Sequence, residues 1–285
     1  MTSRRAQASF ALVCALACAV AHADPADDDA ASSRLPPGVE TGGVTHRQIL
    51  FTFDDGPDTR LTRDLLGRLA RRHVHAVFFL VSKKIEAGSG AAVERAAIAR
   101  ETLTAGHVIA SHGYEHVRLD RLPAPALAAM LDRDDAIHER VLGRRPRLFR
   151  PPNGMASAAL VSLAHAHGRV VLDWSLNTRD YSEHDPARVL HNFVAQLAYR
   201  EREHGERGGV VLLHDTHAWS LDAFERIHDW LRAQNCALLG TSEELWDVVD
   251  DPGYVVPEAA VGPLEALADR QSRLRAETRA RCVTH

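Results

Sequence analysis

From His46 to about Val249 the chain alternates short β-branched or aromatic runs with longer amphipathic stretches. That alternation limits its possible architectures more than any other feature. The strand-like runs are Gln48–Phe53, Ala76–Val81, Val108–Ala110, Arg147–Phe149, Val170–Trp174, Gly209–Leu213 and Ala237–Leu239. Between them lie Thr62–Arg72, Ala91–Ala105, Pro123–Val141, Ser157–Ala166, Pro186–Arg202 and Asp222–Gln234, most with apolar residues at i, i+3, i+4 spacing. Parallel strands need crossover connections, and amphipathic helices of this length supply them. The pattern predicts an α/β domain of about seven parallel strands, either a barrel or a doubly wound sheet.

The flanks read differently. Residues 1–23 combine a basic start (Arg4, Arg5), an apolar stretch from Phe10 to Val20 and the small-x-small Ala21-His22-Ala23, the pattern of a secretory signal peptide. The apolar stretch is shorter than the ~20 residues of a membrane-spanning helix, so no stable membrane span is expected after its removal. The expected location is secreted or periplasmic. Residues 24–45 are polar, then Pro/Gly-rich, and predict a flexible leader before a catalytic domain over 46–250. The tail over 251–285 contains Leu264–Arg281, rich in Glu, Arg and Ala, expected as an exposed helix packed lightly on the domain. Net charge is −4 with His neutral, and the signal carries two arginines and no acid, leaving −6. An acidic balance argues against nucleic acid as a partner. Of four cysteines, Cys14 and Cys18 leave with the signal; Cys236 and Cys282 could pair or remain two thiols.

Chemistry-bearing residues collect at strand ends. Ile49-Leu50-Phe51-Thr52-Phe53 runs into Asp54-Asp55-Gly56-Pro57, delivering two carboxylates to the C-terminal mouth of a buried strand, where α/β sheets place ligands. Adjacent anions repel, so keeping both ionised requires a cation. After His107-Val108-Ile109-Ala110 comes Ser111-His112-Gly113-Tyr114-Glu115-His116, two histidines four apart that can converge on one metal ion. Gly113 excludes the zinc-protease His-Glu-x-x-His pattern. Leu148-Phe149-Arg150-Pro151-Pro152-Asn153-Gly154 follows another strand, with Arg150 suited to holding a carboxylate and a turn whose N–H groups can face a cavity. Asp173–Tyr181 and Val210-Val211-Leu212-Leu213-His214-Asp215 complete the set. Taken singly, His214 reads as a structural histidine and Asp215 as a helix cap.

Together and in this order, the five segments resemble the polysaccharide deacetylases of carbohydrate esterase family 4, the NodB-homology fold, over roughly Gln48 to Leu239. The resemblance implies a distorted, incomplete (β/α) barrel and a metal-dependent hydrolase acting on acetylated carbohydrate, polymer or oligomer. Asp55, His112 and His116 match the family's metal triad, with Zn²⁺ first and Co²⁺ or Mn²⁺ as alternatives. Asp54 matches the catalytic base and Arg150 the residue that holds it. His214 matches the general acid and Asp180 the acid that orients it. Asn153 occupies the oxyanion position through its backbone N–H, and Leu212 matches an apolar wall at the acetyl methyl. Asn153 and Tyr181 stand where an aromatic residue and Trp are usual, which leaves the glycan open. An amino-sugar polymer such as peptidoglycan or a chitin-like glycan is the leading expectation. An O-acetyl esterase on xylan and a glycan-binding protein without turnover are the rivals.

Other features are expected to do no chemistry. His217 and Trp219 could line the groove or be structural. His73, His75, His165 and His167 read as solvated or capping, and Asp132, Asp134 and Asp135 around Arg133 as the wet face of a helix. Arg144-Arg145-Pro146-Arg147 reads as a loop entering a strand.

Overall fold

The computed structural model describes residues 24–32, 34–86, 88 and 90–282; the expected signal peptide over 1–23 lies outside them. Among the described residues, nine strands form one sheet: β1 (Val39–Glu40), β2 (Gln48–Asp54), β3 (Val77–Leu80), β4 (Val108–Ser111), β5 (Leu148–Phe149), β6 (Val170–Leu172), β7 (Leu176–Asn177), β8 (Gly209–His214) and β9 (Asp247–Val248). Every pairing is parallel, in the order β1-β6-β5-β4-β3-β2-β8-β7, with β9 beside the start of β2. Helices α1 (Pro25–Ser32), α2 (Leu61–Arg72), α3 (Gly90–Thr104), α4 (Ala124–Leu142), α5 (Ala158–Ala166), α6 (Pro186–His204), α7 (Ala218–Leu238) and α8 (Leu267–Cys282) accompany it.

The strand order makes this an open barrel. β6 and β7 are consecutive in the chain, separated only by Asp173-Trp174-Ser175, yet β7 ends the pairing order and β6 stands next to its other end, with only the two-residue β1 beyond it. Three residues span at most ~10 Å, so the sheet must curl until its two ends face each other across a seam without a ladder. Strand alternation then sorts side chains into two layers. Ile49, Phe51 and Phe53 face outward and pack with Leu61, Leu65 and Leu69 of α2 and Leu221, Phe224 and Ile227 of α7. Leu50 faces the interior with Phe79, Ala110, Leu148, Leu172 and Val210. The same parity directs Thr52 and Asp54 inward on β2, and Leu212 and His214 inward on β8.

Four expectations are corrected. Ala237–Leu239 is not a strand: Ala237 and Leu238 end α7, and the corresponding strand is β9, ten residues later. A short apolar run at a helix end looks the same as a short buried strand. The leader is folded rather than flexible. Asp28 of α1 accepts hydrogen bonds from Asn177 (3.0 Å), Arg179 and Gln196 (2.6 Å), and β1 pairs with β6. The tail is anchored, not lightly packed: Val255, Val256 and Ala259 join the interior cluster, Arg270 makes a buried pair with Asp247 (2.7 Å), and Cys236–Cys282 form a disulfide. Finally, Asp134 and Asp135 are buried, not on a wet face. No helix among the described residues is long and apolar enough to cross a membrane.

Candidate active site

Because all strands run the same way, their C-terminal ends open on one mouth, and every strand-end motif reaches it. Register brings specific partners together. Asp54 is level with His214 on one side and Phe79 on the other, and Ser111, just before His112, is level with Phe149, just before Arg150.

Asp55 sits one residue past the strand at φ 75°, a left-handed conformation that Asp tolerates better than most residues. Its Oδ1 lies 3.5 Å from His112 Nε2 and 3.4 Å from His116 Nε2. The Asp55, His112 and His116 donor atoms lie within 4.8 Å of one another. Asp55 Oδ1 is buried and has no hydrogen-bond partner, an arrangement that a cation would satisfy. His112 Nδ1 faces the Arg150 carbonyl oxygen at 2.8 Å, which makes Nδ1 the donor and frees the Nε2 lone pair. Burial, partly offset by Asp55, pushes the His112 pKa down to about 3, leaving the neutral ring that a metal requires. One carboxylate and two imidazoles suit a borderline divalent ion and leave coordination positions open. The residues fit the group.

Asp54 is held from behind. Arg150, fully buried, donates from Nη1 to Asp54 Oδ1 (2.7 Å) and Thr52 Oγ1 (2.8 Å), from Nε to the Leu172 carbonyl (3.0 Å) and from Nη2 to the Asp173 carbonyl (2.8 Å). The last two carbonyls lie at and just past the end of β6, so one side chain both ties that strand end to β2 and orients the carboxylate. Arg150 also lies over the Phe79 ring at 4.0 Å. Burial raises the Asp54 pKa, opposed by Arg150 and His214; this makes it a better proton acceptor than an exposed carboxylate.

Across the mouth, His214 Nδ1 is 2.9 Å from Asp180 Oδ1, while the His214 backbone N–H donates to Asp180 Oδ2 (2.8 Å). Ser220 Oγ donates to the same oxygen (2.5 Å), and Trp219 Nε1 donates to the Asp180 carbonyl (2.7 Å). Burial alone would lower the His214 pKa, but the hydrogen bond and charge of Asp180 outweigh it and carry the value to about 9. His214 is therefore a cation at neutral pH. Tyr181, 49% exposed, lies edge-on to His214 at 6.0 Å between ring centres. Leu212 is buried one inward step below His214. Asn153 sits exposed in the turn after Arg150 at φ 62°. All ten sequence-derived site residues thus belong to the mouth or the turns around it.

Some neighbours escaped the sequence reading or differ from it. Lys84 Nζ donates to the Asp55 carbonyl at 2.6 Å; nothing in its surroundings along the chain signals this. Asp215 is no helix cap, since His217 precedes α7. It is fully buried under the Asp55–Gly56 turn and accepts from Thr62 Oγ1 at 2.5 Å. A Cβ at Gly56 would stand 2.3 Å from its carboxylate, so only glycine fits there. Burial raises the Asp215 pKa to about 7. His217 and Trp219 stack at 4.7 Å beside His214.

Comparison with known proteins agrees with this fold. Residues 41–172 match the family model described as polysaccharide deacetylase. A peptidoglycan-N-acetylglucosamine deacetylase of Bacillus cereus is 25% identical over 198 residues, covering 68% of this chain and 66% of the relative. A chitin deacetylase of Pestalotiopsis is 29% identical over 73% of this chain and 66% of its own length. Among solved structures, a family 4 carbohydrate esterase from Streptomyces lividans in complex with acetate superposes with a TM-score of 0.55 at 26% identity, covering 67% of this chain and 89% of that one. The chain spans less than two thirds of the first curated relatives it matches, 66% of one and 42% of another. Through its open parallel barrel and the match over residues 41–172, the chain carries a domain of the polysaccharide deacetylase type, with relatives and structural neighbours in carbohydrate esterase family 4.

Proposed function

We propose that the protein is a secreted, metal-dependent deacetylase that hydrolyses N-acetyl groups of an amino-sugar glycan of the peptidoglycan or chitin type. The observation that carries this reading is the convergence on one mouth of the Asp55–His112–His116 cluster, the Arg150-held Asp54 and the Asp180-held His214. The named activities of the Bacillus and Pestalotiopsis relatives support the substrate class. Secretion rests on the signal-like residues 1–23. The catalytic unit takes 46–250 as its body, with the leader and tail folded onto it.

A divalent cation held by Asp55, His112 and His116, with Zn²⁺ the first candidate, would supply Lewis acidity toward the amide oxygen and the attacking water. The remaining chemistry belongs to the chain. Asp54 takes the proton of the water as its oxygen bonds to the acetyl carbon. The backbone N–H of Asn153 donates to the developing oxyanion. As the C–N bond breaks, cationic His214 gives a proton to the departing amine, which otherwise leaves as a very poor anion. Asp180 keeps the His214 ring turned toward the site, and Arg150 keeps Asp54 from rotating. Leu212 bounds the acetyl methyl, and Tyr181 offers an aromatic face beside the sugar.

Acetate release from chitooligosaccharides, peptidoglycan and acetylated xylan, with and without chelator, tests the proposal. Chelator-sensitive release from the first two is expected. Release from xylan alone would assign the O-acetyl esterase reading instead. Glycan binding with no release after metal is restored would leave only a binding protein.

A further inference from the structure

Behind the His112–His116 turn lies a buried charged cluster that none of these steps uses. Asp134 and Asp135 of α4 face Arg169, the residue before β6; all three are buried, Asp134 and Arg169 almost completely. Arg169 Nη1 lies 2.8 Å from Asp134 Oδ2, and Nη2 donates to Asp135 Oδ1 at 2.5 Å. His167 Nδ1 is 2.7 Å from the other Asp135 oxygen. Ser111 joins this cluster to the ligand turn. Its hydroxyl donates to Asp134 Oδ2 (2.7 Å) and accepts from the Gly113 N–H (3.0 Å) and Arg169 Nη1 (3.1 Å). Its carbonyl accepts the Arg150 N–H (2.9 Å), so the residue before His112 is gripped from three elements.

Packing alone does not account for this arrangement. Ionised carboxylates cost several kcal/mol each to bury, and apolar residues of similar volume are often neutral or stabilising in their place. Of the other buried residues of α4, Leu127, Leu131 and Ile137 are apolar, and His138 lies 3.6 Å from Asp134. What the charges contribute is direction. A serine hydroxyl rotates freely unless its acceptor is fixed, and Asp134, clamped by Arg169, fixes it. The bonded hydroxyl then ties down the Gly113 N–H, and Gly113 at φ 82° turns the chain immediately after His112. Both backbone neighbours of His112 are thereby set, and its ring is set by the Arg150 carbonyl. Functional constellations must be held within ~0.5 Å, and changes to such supporting contacts typically cost ~10–100-fold in metal affinity.

We propose that Ser111, Asp134 and Arg169 are positioning residues that fix the His112 turn and thereby set the affinity of the Asp55–His112–His116 cluster for a divalent cation. The inference rests on the metal-centre reading above. The test is titration of chelator-stripped protein with Co²⁺, followed by its visible absorption and by competition with Zn²⁺ for a chromophoric chelator. Unfolding of the stripped protein in denaturant is measured alongside. The parent is expected to bind, and Ser111→Ala and Asp134→Asn to raise the dissociation constant at least tenfold. His167→Ala cuts the same cluster at its far end. It is expected to unfold at lower denaturant yet keep the dissociation constant within twofold of the parent.

Parental affinity in Ser111→Ala overturns the proposal. So does loss of affinity in His167→Ala in step with its loss of stability, because the cluster would then act only through the fold. Asp134→Asn decides on the same criterion if Ser111→Ala does not fold. A parent that binds neither ion refutes the metal centre itself, an outcome the parental titration separates from the other two.

Discussion

Asp54 and Asp55 are chemically identical neighbours in opposite surroundings. Asp54 is an inward strand residue with its side chain 3% exposed and tied to Arg150, whereas Asp55 is turned by its positive φ toward two imidazoles, 26% exposed. Their tasks should separate by mutation. Asp54→Asn keeps the shape and the Arg150 contact but cannot accept a proton, so kcat should fall by ~10²–10⁴-fold with the bound metal content unchanged. His112→Ala should lose metal and activity together. Acetate release and metal analysis on the same preparations check both, and retained turnover in Asp54→Asn would remove it as the base. His214 makes a pH prediction. The rate requires the protonated ring, so activity should decline as pH rises through about 9. Asp180→Asn removes the charge that raises this value and leaves only a neutral acceptor, so it should move that limb down by more than one pH unit, as read from the pH profile of kcat. The same pair acts on the fold. A histidine whose pKa lies above the unfolded ~6.5 contributes stability fully below that pH, and the contribution fades as pH rises through about 9. These residues were legible because each follows an apolar strand that stops at a charge. Lys84, Asp134 and Arg169 were not, because they stand in no punctuated motif themselves and these contacts join residues 29 and 35 positions apart.

The element-level errors outside residues 46–250 share a cause. Periodicity reports elements that bury an apolar face, and the three that it misjudged are held otherwise. α8 is strongly polar and has Arg270 and Thr278 as its buried residues. It is fastened by the Arg270–Asp247 pair and by the Cys236–Cys282 disulfide to α7. α1 is fastened through Asp28, and β1 is two residues long, below the reach of any pattern. The disulfide closes a separation of 46 residues, for which chain-entropy arguments give stabilisation of about 2–4 kcal/mol. Cys282→Ser should therefore lower the unfolding free energy by that amount, read as a lower denaturant midpoint, without changing metal affinity, since no ligand lies on α7 or α8. Addition of reductant to the parent should reproduce the shift. A midpoint insensitive to both changes would mean that the ion pair alone anchors the helix.

At the scale of the whole molecule, the alternating pattern announced a parallel α/β domain, barrel or doubly wound sheet, but not its seam. Closure depends on which strands pair, and only β6 is covered by the strand expected over Val170–Trp174, whereas the two-residue β7 at 176–177 lies beyond it. An open barrel has fewer ladder bonds holding its mouth than a closed one, and the proposed metal ligands come from two separate places on that mouth, the end of β2 and the turn after β4. A cation there would cross-link them. Binding to the folded state alone stabilises by about 3–4 kcal/mol at 100–1,000 times the dissociation constant. Chelator-stripped protein should therefore melt several degrees lower than protein given Zn²⁺, and the difference should grow with the logarithm of Zn²⁺ concentration. Seventeen histidines offer other places for the ion, so the variants decide. Asp54→Asn should keep the full rise in melting temperature and His112→Ala should lose it. An equal rise in His112→Ala would place the stabilising ion elsewhere, and the mouth would then be held by Arg150 alone.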